Sequence, residues 1–295
     1  MKKVASNDQE RRILADLLDN IGYEVMPFKN AVEKVTADVP TSIPLTVTAT
    51  GDKGLESTLE VSISLREKGY KVAPHIPARL VTGPDELDQI IERLRVADID
   101  QIFIIAGDAK EPAGKFKDSL DMLKVLNAKN HHFKNIGIGG YPEGHALFED
   151  TQIEDALKAK SPYADRILTQ ICFSADTFIK WNKNIQSDGV ELPVYAGMPG
   201  PISRQKLIRI SAGLGLGQSA NFLKKQQNMF WKFFTPSGYN ATNIVRGLVR
   251  QMTNTTTTFK GFHIFTFNDF ESTEKWRKEL LKQTGQQSWR LQENS

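Results

Sequence analysis

The sequence predicts an α/β protein, a (β/α)8 TIM barrel with extra helices before its last strand. Three observations carry that expectation. The chain has 295 residues, a length that a single α/β barrel fills. Short β-branched or apolar runs alternate with stretches of helical period along the chain, the pattern of parallel strands joined by crossover helices. No Gly-x-Gly-x-x-Gly follows the first strand, which argues against the dinucleotide-binding form of the doubly wound open sheet, the runner-up for such an alternation.

Residues 1–20 carry charges throughout and are read as an N-terminal helix, with no continuous apolar stretch of the leader kind. The first strand is expected over 21–28 and the second over 43–49. The following stretch, 55–68, brings Leu55, Leu59, Ile63 and Leu65 near one face of a helix. A strand over 71–76 precedes a helix over 84–96 that opens on Pro84, where a fixed φ and a missing N–H suit the first turn. Strand 101–106 contains Ile102-Phe103-Ile104-Ile105-Ala106, far short of the roughly 20 residues needed to cross a bilayer. Helix 116–127, strand 135–141, helix 154–160, strand 166–173, helix 175–185 and strand 192–196 continue the alternation. From 202 to 260 the pattern is helical, with turns at 213–217 and 235–238, so two or three helices are expected in an insertion over 203–260. The last strand is expected over 261–267, and the polar tail 283–295 is expected to fray or dock loosely. All of 1–295 is read as one domain.

Composition narrows the function classes. A hydrophobic fraction of 40% with 25% charged residues matches soluble globular proteins and excludes a mostly disordered chain. The 38 basic and 35 acidic residues are intermixed, so no stripe for nucleic acid is visible. One cysteine, Cys172, excludes an intramolecular disulfide, and its neighbours Ile171 and Phe173 predict a buried, inert thiol. His131-His132 and His145 lack partners at zinc spacing, so no metal is expected. These features together predict a cytoplasmic protein without a membrane partner.

In a barrel, chemistry gathers at the C-terminal ends of the strands. Glu24, Thr48, His75, Asp108, Tyr141 and Gln170 stand there, most of them ending or following an apolar run. A polar residue at such a place costs burial energy unless it is paired or used, so the recurrence is the signal. Each residue alone has two readings. Glu24, between Tyr23 and Val25-Met26, is either a general acid or an ion-paired strand carboxylate. His75 is either a ligand contact or a satisfied core histidine. Gly107-Asp108 is either an ordinary turn or a close backbone approach with a carboxylate that accepts from an aminopyrimidine edge. Gly137-Ile138-Gly139-Gly140-Tyr141-Pro142-Glu143-Gly144-His145 is either a bulge and turn or a place where a ring or phosphate meets the backbone. Gly213-Leu214-Gly215-Leu216-Gly217 lacks the Lys-Ser/Thr of a Walker loop and is read as a helix break. Phe230-Trp231-Phe233-Phe234 is read as core or subunit interface.

Taken in order, these strand ends resemble the methylenetetrahydrofolate reductase family. The likeness runs from Gly22 to Asn268. It rests on Ala73-Pro74-His75 with Gly83-Pro84-Asp85-Glu86-Leu87, on Gly107-Asp108, and on Tyr141-Pro142-Glu143-Gly144-His145. It continues in Leu168-Thr169-Gln170 with Phe173, and in Phe262-His263 with Thr266 and Asn268. The resemblance implies a barrel that uses FAD to pass a hydride from NAD(P)H to 5,10-methylenetetrahydrofolate, giving 5-methyltetrahydrofolate. By position it makes Glu24 the acid that assists opening of the folate's imidazolidine ring. Thr48, His75 and Gly107 match the flavin site, and Asp108 the carboxylate between flavin and pterin. Tyr141 and His145 match the ribityl-phosphate side of the flavin, and Lys160 a basic phosphate contact. Gln170 matches the glutamine that touches folate and nicotinamide in turn, and Gln205 stands where a phenylalanine would stack on the folate.

The chain departs from that pattern at Val25-Met26-Pro27-Phe28, where the family has Phe-Phe-Pro-Pro, and at Ala106, Ala159 and Asp269, where it has basic residues. Arginine grips phosphate bidentately, so its loss predicts weaker FAD binding. Two alternatives follow: a flavin-free enzyme passing hydride directly from NAD(P)H to folate, or a barrel that binds folate or methylfolate without reducing it. A third is an unrelated lyase using Glu24 and His75 as acid and base. A homo-oligomer is left open.

Overall fold

The computed structural model describes residues 3–49, 54–145, 148–201 and 240–285. Eight parallel strands close into a barrel in sequence order. They are β1 (Gly22–Val25), β2 (Leu45–Val47), β3 (Val72–Pro77), β4 (Gln101–Ile105), β5 (Asn135–Gly140), β6 (Arg166–Thr169), β7 (Val194–Pro199) and β8 (Phe259–Phe265). Helices α1 (Asp8–Asp19), α2 (Ala31–Asp38), α3 (Gly54–Glu67), α4 (Pro84–Val96), α5 (Ser119–Asn127), α6 (Asp150–Lys160), α7 (Ala175–Ser187), α8 (Ala241–Met252) and α9 (Phe270–Leu281) lie among the described residues. None is long and apolar enough to cross a membrane.

Register explains which side chains face inward. Residues paired across parallel strands share a face, so the inner face can be followed around the wall. Glu24 lies beside Thr46 and Thr46 beside Ala73. His75 lies beside Phe103, Phe103 beside Gly137, and Gly137 beside Arg166. Tyr195 pairs with Gly261, Gly197 with His263, and Glu24 with Phe265 to close the ring. The alternate residues, among them Val25, Val47, Ile104, Ile138, Ile167 and Ile264, face outward and are buried in the hydrophobic core. Each such side chain contributes about 1.5–3 kcal/mol when fully covered. The lumen is correspondingly polar: Thr46, His75 and His263 are all buried in it, where barrels of this class usually carry branched apolar residues.

Local chemistry sets the element ends. Pro84 starts α4 at the predicted place, and the Ser174 hydroxyl caps α7 by accepting from the Thr177 N–H. Helix α6 begins at Asp150, earlier than the sequence pattern suggested, because Glu149 and Gln152 form a reciprocal capping box. Strand β6 stops at Thr169, short of 173. There the Gln170 side-chain oxygen accepts from the Ile171 N–H, and the Thr169 hydroxyl accepts from Gly197 N–H. The eight-residue α2 had no counterpart in the sequence reading. Of the expected insertion, α8 is described; 202–239 lies outside the described residues, as does 286–295 of the tail. The first tail residues are docked: the Gln283 side-chain oxygen accepts from Val4 N–H at 2.7 Å, and Thr284 is buried.

Outside β1, the Tyr23 hydroxyl donates to the Glu274 carboxylate at 2.5 Å. Arg277 meets the same carboxylate through two hydrogen bonds of 2.8 Å. Glu274 and Arg277 project from α9, all three side chains are buried, and burial together with Glu274 pushes the Tyr23 phenol well up.

Candidate active site at the mouth of the barrel

Glu24 occupies the inner face of β1, one residue before the strand ends. Its side chain is 12% exposed, and Oε2 lies 3.8 Å from Nε2 of the buried His263 ring on β8. The backbone on either side is held by the turn that follows β8. The Thr266 hydroxyl donates to the Glu24 carbonyl at 2.6 Å. Asn268 accepts from the Met26 N–H and donates to the Met26 carbonyl, both at 2.9 Å. The Asn268 N–H in turn donates to the Thr266 hydroxyl at 3.1 Å. Phe267 and Asn268 both take left-handed conformations, φ 51° and 53°. Asparagine tolerates that region, whereas for phenylalanine it is strained, and the surrounding bonds hold it there.

Pro74 keeps β3 extended ahead of His75. The His75 ring packs on Phe103 with centroids 4.6 Å apart. An added Cβ at Gly137 would stand 2.7 Å from the Phe103 ring, so glycine is required for this packing. Burial pushes the His75 imidazole down to about 3, with the nearby His263 and Arg166 adding to the shift, so the ring is neutral. Its Nε2 and the hydroxyls of Thr46 and Thr48 have no hydrogen-bond partner among the described residues. Thr48 continues the line of β2, its N–H donating to the Val25 carbonyl at 2.9 Å.

Beyond β4, Gly107 has φ 88°, and an added Cβ would lie 2.8 Å from Pro77 Cβ; only glycine fits this turn. Asp108 beside it is exposed. Burial, and to a lesser degree the Asp108 charge, push the Tyr141 phenol up, so the ends of β4 and β5 meet here. Tyr141 folds over Gly139 and meets His145 edge-on at 5.1 Å; His145 meets the exposed Phe148 at 5.0 Å. Gln170 is exposed, and its N–H donates to the Gly140 carbonyl at 2.8 Å, joining β5 to β6.

Glu24, Thr48 and His75 therefore share the lumen side of the mouth, and Asp108, Tyr141 and His145 form a second group around it. Lys160 stands in the last turn of α6 rather than at a strand end. Burial pushes its ammonium down while Asp118 opposes that shift. Gln205 lies outside the described residues. Cys172 is buried as expected, its thiol 3.5 Å from Glu143 Oε1. Among the described residues no group of three His, Cys, Asp or Glu could hold a metal ion.

Sequence reasoning passed over Arg166, and His263 entered it only inside a motif. Both face the lumen away from the strand ends, His263 one pleat before the end of β8 and Arg166 at the start of β6. Their signal is period-two placement on a strand together with the β1–β8 and β5–β6 registers, which only the closed barrel supplies.

A family model described as methylenetetrahydrofolate reductase matches residues 23–283. Methylenetetrahydrofolate reductase 2 of Saccharomyces cerevisiae is 24% identical over 179 residues, covering 55% of this chain and 29% of its own. Methylenetetrahydrofolate reductase 2 of Schizosaccharomyces pombe is 26% identical over 299 residues, covering 86% of this chain and 45% of its own. Methylenetetrahydrofolate reductase (NADH) 1 of Arabidopsis thaliana is 25% identical over 143 residues, covering 41% and 24%. The chain spans less than half the length of these curated relatives.

Proposed function

The chain belongs to the methylenetetrahydrofolate reductase family, and we propose that it is an oxidoreductase interconverting 5,10-methylenetetrahydrofolate and 5-methyltetrahydrofolate with NAD(P)H. The observation that carries this reading is Glu24: a carboxyl group in the lumen, 12% exposed, on a strand end whose backbone is tied down on both sides. Rigid support of this kind suits a proton donor, because proton transfer requires the donor within hydrogen-bond reach of the accepting atom.

In the proposed reaction Glu24 donates its proton to the folate ring nitrogen as the methylene bridge opens to an iminium. Hydride addition to that carbon completes the methyl group. Asp108 accepts from the ring N–H and the exocyclic amine of the pterin, and Gln170 orients the same substrate. His75, held neutral, offers the mouth a hydrogen-bonding edge without a charge. FAD, when bound, would supply the hydride relay between NAD(P)H and the folate. The residues fit such a group on the flavin side: the buried Thr48 hydroxyl and His75 Nε2 have no hydrogen-bond partner among the described residues. Gly107 permits close backbone approach there, Tyr141 and His145 flank it, and Lys160 would serve the phosphates. Alanine at 106, exposed at the end of β4, and at 159 removes two basic contacts and favours a loosely held flavin or direct transfer from nicotinamide.

The test is Glu24→Gln assayed by NAD(P)H oxidation with methylenetetrahydrofolate. An amide cannot donate the proton, so kcat should fall by about 10²–10⁴-fold with folate binding retained. A variant that keeps most of the parent kcat overturns the assignment. A yellow preparation marks the flavoenzyme; a colourless, active one marks the flavin-free reading.

A further inference from the structure

We propose that His263 acts through Glu24, returning to its carboxylate the proton spent in each turnover. This rests on the reading above, in which Glu24 is the acid. A general acid leaves every cycle as a carboxylate and needs a new proton before the next. Glu24 is 12% exposed at the mouth, where folate would cover it, so the groups facing it in the lumen are the neighbours that can hold a proton for it. Among the described residues the titratable and charged groups on that face are His263 on β8, His75 on β3, Arg166 on β6 and Tyr195 on β7.

Three of them are unsuited. His75 is neutral, since burial pushes it down to about 3, and it has no proton to give near neutrality. Arg166 keeps its proton as guanidinium does in proteins. Tyr195 has the Arg166 side of the lumen for its charged neighbour. His263 remains, with Nε2 at 3.8 Å from Glu24 Oε2 and both side chains enclosed, 5% and 12% exposed. That gap is too long for a direct hydrogen bond and short enough for one side-chain rotation or one bridging water to close. The strand that carries His263 leads into the turn with Thr266 and Asn268, so the bonds that fix the backbone of β1 fix this spacing as well.

The step balances without a further reagent. The N–H bond at Nε2 of the imidazolium breaks, its electron pair stays on nitrogen, and the proton forms an O–H bond with Glu24 Oε2. The neutral imidazole then takes a proton from water admitted through the barrel mouth once the product has left. Nothing is oxidised or reduced. His263 is thus a positioning and relay residue for Glu24, without contact to the substrate.

The experiment uses the full chain with His263→Ala, His263→Asn and Glu24→Gln, assayed by folate-dependent NAD(P)H oxidation across pH, with and without added imidazole. Both His263 variants should lose about 10²-fold in kcat with folate KM little changed. Imidazole should restore His263→Ala saturably, more so at lower pH where more of it is cationic, and should leave Glu24→Gln inactive. A purely structural role would not be restored by a small diffusible acid. Parent-like kcat and pH profile in a His263 variant, or a loss in the folded alanine variant that imidazole does not reverse, overturns the proposal. Should His263→Ala melt below the assay temperature, the split decides from His263→Asn: a lost kcat at constant KM supports the relay, and a proportionate loss of folded protein overturns it. An active Glu24→Gln defeats the underlying reading itself. An inactive Glu24→Gln beside parent-like His263 variants defeats the relay alone.

Discussion

Acidifying the protein from pH 7 to pH 5 should remove about 2 kcal/mol of stability through His75 alone. The native imidazole is pushed down to about 3 from an ordinary 6.5, first by burial and then by His263 and Arg166. Above 6.5 neither the native nor the unfolded chain binds a proton here, and the group is silent. Between 6.5 and about 3 the unfolded chain binds a proton that the native lumen refuses. Stability therefore falls as pH falls, at up to about 1.4 kcal/mol per unit. The step to pH 5 crosses about one and a half units of that window, which gives the stated magnitude. The assay is urea unfolding at both pH values for the parent and for His75→Gln, whose side chain keeps hydrogen-bonding capacity but does not titrate. The contributions of other groups cancel in the comparison to first order, so the parent should lose about 2 kcal/mol more than the variant. Equal losses would refute the reasoning and mean that His75 is hydrated or protonated in the native barrel.

Asp108→Asn should weaken folate binding by about 1–3 kcal/mol, because an amide sets a donor against a pterin donor, while NAD(P)H oxidation by an artificial acceptor survives in flavin-loaded protein. Equal loss in both assays would place the pterin contact elsewhere. Flavin should be stripped by gel filtration, since each missing charge-assisted contact at Ala106 and Ala159 removes about 1.5–3 kcal/mol; stoichiometric FAD after extensive dialysis contradicts this. Gly137→Ala should lower Tm by about 3 °C or more, because its Cβ would stand 2.7 Å from the Phe103 ring and overpacking costs about 1–3 kcal/mol. An unchanged melting curve would show that the ring moves freely.

What the sequence made legible was local. Helix α4 was placed at its observed bounds because Pro84 marks its first turn, and β4 within one residue because its apolar run is uninterrupted. Glu24, His75 and Tyr141 stand out in the sequence because polar residues break or end hydrophobic runs there, and the barrel brings those strand ends to one mouth. The misses share a cause. The overshoot of β6 depends on where Thr169 and Gln170 send their side chains, and α2 is too short for periodicity to reveal. The nearness of His263 to Glu24 arises when the first and last strands pair, a register that no window of sequence contains.

That pairing has a consequence for the order of assembly. The bonds from Asn268 to Met26 join residues 242 positions apart, so they belong to contacts whose loop-closure entropy is spent last. During synthesis β1 emerges early and waits for β8. Until then Glu24 has neither its clamp nor its imidazole neighbour, however completely the intervening strands have folded. A nascent or truncated chain ending before Phe259 should thus hold most of the wall and only the β2 side of the setting of Glu24. Under the proposed role of Glu24, competence at this site would arrive in one step, with closure of the seam, and a nick in the β8–α9 turn should abolish turnover well before it unfolds the barrel.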